Sequence, residues 1–502
     1  MSEQTSDQLL NFDPEQSRVD VKARRRYVLT ADARGKSDGA YHTDLAKMLA
    51  QHCRKRLRYV GKQWARFDGQ RWVIDGEDVA AYREWQELRP RIQFEFTDDE
   101  GKKHTKPISA SLAMTRGVVA SARNLLRLHQ GDFDQRAHEL NTPTGIVDLK
   151  KGVHGGHKSS RMHSRITQVA PDFDAPAPAR FLEFLETIML SDKVQEEYLL
   201  AVLALCLLGE PGGQYLHILL GEGGNGKGVL FNILQGLLGV GGAQGSGYYI
   251  ELEGTFFTTT RNPKHESEEA NLHGARVVVL SEFPAKSTWR VTRLKNFTGD
   301  NSITASFKYQ PQFTFKPAAT FLANSNTIPD TAEINKAMKR RLRGIPFEYT
   351  HEGQQNDNLH KQIVAAEGPA IMALLCKKAK EFLANGSRMP PQSARMVDRM
   401  AMYLEEQDTT GEFMGECCMA KDGAATLNTE IYQAYQLWCG SQGIAKHDQV
   451  TRKTLMGEIR KRGYKIDYTR RDPDTGDQDG RRRTLGLALV KGARSGVLVN
   501  GS

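Results

Sequence analysis

The chain has 502 residues, enough for several domains with cores of their own, and its 39% hydrophobic and 26% charged content is ordinary for a soluble globular protein. Its formal net charge is +9, concentrated in runs at 22–26, 54–58, 339–343, 460–462 and 481–483, which suit a polyanionic partner as readily as a solvated surface. Six scattered cysteines with no C-x-x-C pair, a polar acidic start and a longest apolar run too short to span a bilayer ("YLLAVLALCLLG", 198–209) exclude a disulfide scaffold, a zinc ribbon, a signal peptide and a membrane span, so the expectation is a cytoplasmic protein.

Residues 1–25 read as a disordered tail. A mixed α+β region follows over 26–179. It starts with a helical segment over 41–60, then a hairpin turning at Asp68-Gly69, where Trp64, Phe67 and Trp72 read as core rather than as base-stacking rings. Residues 77–135 read as mostly helical around a polar insertion at 97–107. "LNTPTGIVDLKKG" (140–152) makes two short extended runs, and "APDFDAPAPA" (170–179) is a proline-rich linker. His154 and His157 in "HGGH" have no further ligands nearby and read as loop residues.

Helices fill 180–208, and residues 180–395 form a collar and an α/β core. "LHILL", "ARVVVLSEF" (275–283) and "AATFLANSN" (318–326) are near-continuous apolar strands between helices, the pattern of a parallel sheet covered on both faces. Between them, "SITASFK" and "QFTFKP" form a hairpin. Helices over 358–386 and 391–407 lead to a helix and linker (396–425). Residues 426–490 give two helices and a charged two-stranded ribbon, the outline of a winged helix, before a tail at 491–502. The second helix and ribbon present Arg452, Lys453, Arg460, Lys461, Arg462, Arg470, Arg471 and Arg481–Arg483, suited to duplex DNA or to a neighbouring protein surface.

The chemistry centres on "GEGGNGKG" (221–228), set between an apolar strand and a helix. Gly221, Gly223, Gly224, Asn225 and Gly226 offer backbone N–H groups to phosphates at a helix N-terminus, and Lys227 neutralises β/γ oxygens. The following residue should carry a magnesium-binding hydroxyl, yet it is Gly228. Ser281 and Glu282 close the second strand, where α/β sheets place catalytic groups. Glu282 suits polarising water, and either residue suits magnesium. Asn324 at the third strand's tip can sense a γ-phosphate. Arg340 and Arg341 end a helix; they read either as fingers reaching a neighbouring subunit's γ-phosphate or as a basic helix end facing the dipole.

Together "LNTPTGIVDL", "GEGGNGKG", "VVVLSEF", "LKNFTGDNSITA", "FLANSNTIP" and "MKRRLRGIPF", over about 136–350, resemble the superfamily 3 DNA helicases, specifically the helicase portion of phage, plasmid and poxvirus helicase-primases. The resemblance implies an AAA+-like ring, hexameric, that hydrolyses ATP with magnesium between subunits and draws one strand of single-stranded or forked DNA 3′ to 5′ through its pore. Lys308 and Tyr309 would contact that strand, although the family often has its basic residue near Ser306. The acidic pairs at 132–134 and 172–174 lie in loop-like sequence, so the expectation is a helicase that works with a separate primase or polymerase. Alternatives are a DNA-translocating ATPase without unwinding, and an initiator that binds an origin duplex and uses ATP as an assembly switch.

Overall fold

The structure is a computed structural model that describes residues 27–30, 40–76, 78–98, 100–210, 212–242, 245–259, 267–284, 287–299, 301–330, 336–353, 356–406, 408–444, 446, 449–468, 481–490 and 493. Both terminal tails except Ala493, the 22–26 run, Arg470, Arg471 and the ribbon tip lie outside the described residues.

The N-terminal region holds strand β1 (Tyr27–Thr30), helix α1 (Ala40–Cys53), strands β2 (Leu57–Val60), β3 (Gln63–Phe67) and β4 (Trp72–Ile74), helix α2 (Val79–Leu88), strands β5 (Ile92–Thr97) and β6 (Lys103–Pro107), helix α3 (Leu112–Leu125) and strand β7 (Arg127–Leu128). The hairpin expected at Asp68-Gly69 is β3–β4, and Trp64 and Trp72 are buried. Two expectations need correction. The helical segment stops at Cys53, because Leu57 and Val60 enter the core as a strand. Residues 77–135 are also less helical than expected: β5 and β6 form an antiparallel hairpin, and β1 adds in parallel to β5. The polar insertion is that hairpin's turn and its second strand, with Asp98 accepting the Lys102 amide at 2.8 Å in the turn. Strands β8 (Glu139–Thr142), β9 (Gly145–Asp148) and β10 (Val153–Gly155) make a small antiparallel sheet.

Helices α4 (Ala179–Ile188) and α5 (Lys193–Leu205) open the central unit. Then come β11 (Leu216–Leu220), α6 (Lys227–Leu238), β12 (Tyr249–Leu252), α7 (Ser267–Asn271), β13 (Val277–Leu280), α8 (Val291–Thr298), β14 (Ile303–Ala305), β15 (Phe313–Phe315), β16 (Thr320–Ser325), α9 (Lys336–Arg341), β17 (Leu342–Pro346) and α10 (Leu359–Ala384). Five strands form a wholly parallel sheet in the order β12-β13-β16-β11-β17. Successive residues of each strand serve opposite cores. Leu219, Val277, Val279, Leu322 and Ile345 pack against α5, α6 and α10, whereas Ile218, Leu220, Val278, Leu280, Phe321 and Ala323 pack against α8 and the β14–β15 hairpin. The three inner strands, β13, β16 and β11, are thus apolar on both faces, which is why they read as unbroken runs.

Helices α11 (Ala394–Glu406) and α12 (Thr409–Cys417), strand β18 (Cys418–Leu427), helices α13 (Asn428–Ser441) and α14 (Arg452–Lys461), and strands β19 (Lys465–Asp467) and β20 (Arg483–Leu489) complete the chain. The stretch expected as helix and linker is more structured than that. β18 pairs along β20, and Phe413 of α12 lies 5.4 Å from the Tyr435 ring, so residues from about 409 onward belong with the C-terminal unit. That unit is two helices against a three-stranded antiparallel sheet, β18-β20-β19.

Candidate active site

All five parallel strands point their C-terminal ends at one edge of the sheet, and the expected nucleotide residues gather there. From β11 the chain enters the loop Gly221–Gly226 and turns directly into α6, whose cap, Gly226, has φ 88°. A side chain there would be strained and would also press on Ile188, so glycine is required. Asn225 is buried and braces the loop by donating its Nδ2 to the Phe347 carbonyl at 3.0 Å. Lys227 is 5% exposed and folds back on the loop, donating its Nζ to the carbonyls of Gly221 (2.5 Å) and Glu222 (3.2 Å) and to Asn225 Oδ1 (3.0 Å). Burial lowers its pKa, and the charge of Glu282 opposes that shift. The ammonium is therefore held over the helix N-terminus by neutral oxygens, which phosphate oxygens can replace.

Glu282, Asn324 and the whole Glu222–Gly228 stretch line one cavity of about 770 Å³. Its far walls come from segments with no recognisable motif: Phe184 and Ile188 of α4, Tyr349 and His351 after β17, and Asn356, Leu359, His360 and Ile363 around the start of α10. Asn326, just past β16, also faces it. Apolar walls beside a phosphate loop form a slot for a planar base.

Three expected residues lie elsewhere. Ser281 does not line the cavity; its Oγ accepts the Gly254 amide at 3.2 Å. Arg340 and Arg341 sit before β17, at the opposite edge of the sheet, since Leu342 pairs with Leu216 whereas Pro346 pairs with Leu220 beside the loop. Arg341 is buried, donating to Thr298 Oγ1 at 3.3 Å and Gln214 Oε1 at 3.1 Å; Arg340 is exposed and bonds Gln214 at 3.3 Å. As donors for magnesium the cavity offers the carboxylates of Glu183, Glu222, Glu282 and Asp357 and the amides of Asn324 and Asn326, and of the carboxylates it is Glu282 whose charge bears on Lys227. One carboxylate with nucleotide oxygens and water suits that ion. Among the described residues no cluster of three His, Cys, Asp or Glu is placed to hold a metal without a nucleotide.

Two further surfaces are basic. The β14–β15 hairpin projects Lys308 and Tyr309, the tyrosine 83% exposed. In the C-terminal unit, Arg452, Lys453 and Arg460 of α14 share a cleft of about 1100 Å³ with Tyr468, Arg481 and Arg482. The other basic residues named there are used differently: Lys461 pairs with Glu458, Arg462 with Asp408, and Arg483 is buried. Gly457 also lines the cleft, with no atom within 4 Å of where a Cβ would stand. No helix among the described residues is long and apolar enough to cross a membrane.

Comparison with known proteins gives four matches of different weight. Residues 46–190 match the family described as D5 N terminal like, and residues 219–341 match a family of unknown function, DUF5906. A protein of Acanthamoeba polyphaga mimivirus named "Putative helicase L207/L206" is 27% identical over 354 residues, which is 65% of this chain but 35% of that protein. Among solved structures, the A form apo structure of the NrS-1 C-terminal region covers 88% of this chain and 98% of its own, at 13% identity and a TM-score of 0.45. Over residues 46–190 the chain is thus similar to the D5 N terminal like family, and over 354 residues it is similar to a viral protein named a putative helicase, of whose length it spans about a third.

Proposed function

We propose that the chain is an ATP-dependent replicative DNA helicase of superfamily 3, acting as an AAA+-like hexameric ring on single-stranded and forked DNA in the 3′ to 5′ direction. The observation that carries this reading is the convergence of Lys227, Glu282 and Asn324 on one cavity at the C-terminal edge of a parallel sheet. ATP would lie with its phosphates on the Glu222–Gly228 backbone and its base in the slot beside Phe184 and Tyr349. Lys227 would exchange its loop carbonyls for β/γ oxygens, Glu282 would orient the attacking water, and Asn324 would report the γ-phosphate. Magnesium, which offsets phosphate charge when bound, would be held by Glu282 and water, because Gly228 lacks a hydroxyl and Ser281 is turned away. Lys308 and Tyr309 would grip the translocated strand. A separate primase or polymerase would supply synthesis.

Lys227→Ala tests the reading. ATPase and strand displacement on a forked substrate should both vanish, because transition-state charge loses its counter-ion. Near-normal turnover in a folded variant would refute it. A second role, origin recognition, is favoured by the basic cleft of the C-terminal unit, whose helix-and-sheet arrangement suits a winged helix on duplex DNA. Removing the whole unit, residues 409–502, should then abolish duplex preference and spare DNA-stimulated ATPase. Persistent ATPase without any strand displacement in the intact protein would instead favour a translocase.

A further inference from the structure

The β14–β15 hairpin does not stand alone. Gln310, two residues beyond Lys308, donates its Nε2 to Gln63 Oε1 of β3 at 2.8 Å. The turn joining β2 to β3 is Gly61-Lys62; Gly61 has φ 62°, and a Cβ on it would stand 3.1 Å from Gln310 Oε1. Lower on the hairpin, a Cβ on Gly131 would stand 2.8 Å from the Thr314 carbonyl oxygen. Gly131 thus lets the N-terminal region touch β15 where a side chain would hold it off, and Gly61 supplies the left-handed turn that brings Gln63 to Gln310. On the other side, Phe313 and Phe315 pack edge-on against the buried His273 ring, each at 5.5 Å. The hairpin is clamped between the parallel-sheet unit and the N-terminal sheet.

The clamp brings two turns together. Lys62 lies between Gly61 and Gln63, both of which meet Gln310, and its side chain is exposed. Lys308 and Tyr309 are exposed on the facing turn, with the Lys308 ammonium 5.0 Å above the Tyr309 ring. Tyr309 holds φ 65°, an unusual backbone state for a tyrosine, and leaves its ring almost wholly in solvent. An exposed aromatic ring with lysines from two neighbouring turns is a surface for a single nucleic-acid strand: the ring stacks on a base of any kind and the ammonium groups meet successive phosphates.

We infer that the Gly61-Lys62 turn of the N-terminal region and the Lys308-Tyr309 tip form one composite grip on single-stranded DNA, with Lys62 supplying a phosphate contact. This rests on the reading of the hairpin as the strand-contacting element. It makes the N-terminal region part of the motor's hold on its track, and the Gln63–Gln310 bond makes the two turns move as one.

The test is binding of a fluorescent oligothymidylate to the full chain across a salt series, with Lys62→Ala, Lys62→Arg and Lys308→Ala run in parallel. Lys62→Ala should weaken binding and lower the slope of log affinity against log salt by about 0.7 for each protomer engaged. Lys62→Arg should keep the wild-type slope, and ATPase without DNA should be unchanged in both Lys62 variants. If Lys308→Ala weakens binding while Lys62→Ala matches wild type, the composite grip is overturned and the hairpin reading stands. If Lys62→Arg fails as badly as Lys62→Ala, the charge is not what matters and the inference also falls. If neither alanine variant weakens binding, the hairpin reading falls and takes the inference with it.

Discussion

Gly228→Ser restores the hydroxyl that a phosphate loop normally places at this position, and the structure says that it fits. No atom lies within 4 Å of a Cβ at Gly228, and the residue does not need a left-handed backbone. It is the second residue of α6 and lines the cavity beside the phosphate-loop motif. Serine there should raise helix propensity slightly, by about 0.4 kcal/mol, so the variant should be no less stable than the parent. Its oxygen would replace one magnesium-bound water. Releasing an ordered water is worth up to about 2 kcal/mol. At about 1.4 kcal/mol per factor of ten, the magnesium needed for half-maximal ATPase should fall by up to about thirtyfold. The assay is a magnesium titration of ATPase at saturating ATP, with thermal melts of both proteins as the control. An unchanged magnesium requirement in an equally stable variant would refute the reasoning, since another group would then already occupy that coordination position.

Three other perturbations separate roles that the fold has separated. Arg340→Ala, at an exposed side chain, should leave stability within about 0.5 kcal/mol and abolish hydrolysis without abolishing nucleotide binding, whereas Arg341→Ala should cost about 2 kcal/mol because it removes a buried, hydrogen-bonded charge. Full ATPase in Arg340→Ala would remove it as a finger. Gly457→Ala should raise the melting temperature, because glycine inside a helix costs about 1 kcal/mol against alanine, yet weaken duplex binding if a DNA backbone lies against α14; unchanged binding would place the duplex elsewhere. Acid should destabilise the protein through His217 and His273, which burial pushes down to about 3 and about 4. The folded state keeps both neutral while the unfolded chain protonates them below about pH 6.5, so by pH 5 each should cost about 2 kcal/mol relative to pH 7.5. Urea melts giving equal stability at the two pH values would contradict this.

How much of this was readable beforehand follows from burial. Strands β11, β13 and β16 lie inside the sheet and are apolar on both faces, so they stood out as runs. The edge strands β12 and β17 did not: Glu251 is exposed in one, and the other carries Gly344 and Pro346, which read as turn residues. The β5 strand did carry a signal, because Ile92, Phe94 and Phe96 alternate with Gln93, Glu95 and Thr97, but its charged surroundings resembled an exposed helix. In the site, the phosphate end was legible because one loop carries it. The base end was not, since Phe184, Tyr349 and His360 come from three distant segments and no local spacing relates them.

The sheet's register bears on why a second copy would be required. Between the β11–β17 pairs Leu216–Leu342 and Leu220–Pro346 the sheet runs for four residue steps, about 13 Å. The Gly221–Gly226 loop leaves one end and Arg340 precedes the other, so the arginine lies at the opposite edge from its own chain's loop. Against this stands Arg180, an exposed arginine that lines the chain's own cavity. Hydrolysis by isolated protomers would point to Arg180 as a cation acting in cis. Hydrolysis that rises with protein concentration, is lost in Arg340→Ala, and returns when that variant is mixed with Lys227→Ala would point to a shared site. In the mixture, an interface pairing an intact Lys227 loop with an intact Arg340 can form only between two different chains, so recovered activity cannot come from either protomer alone. The opposite-edge geometry makes the second outcome the expected one.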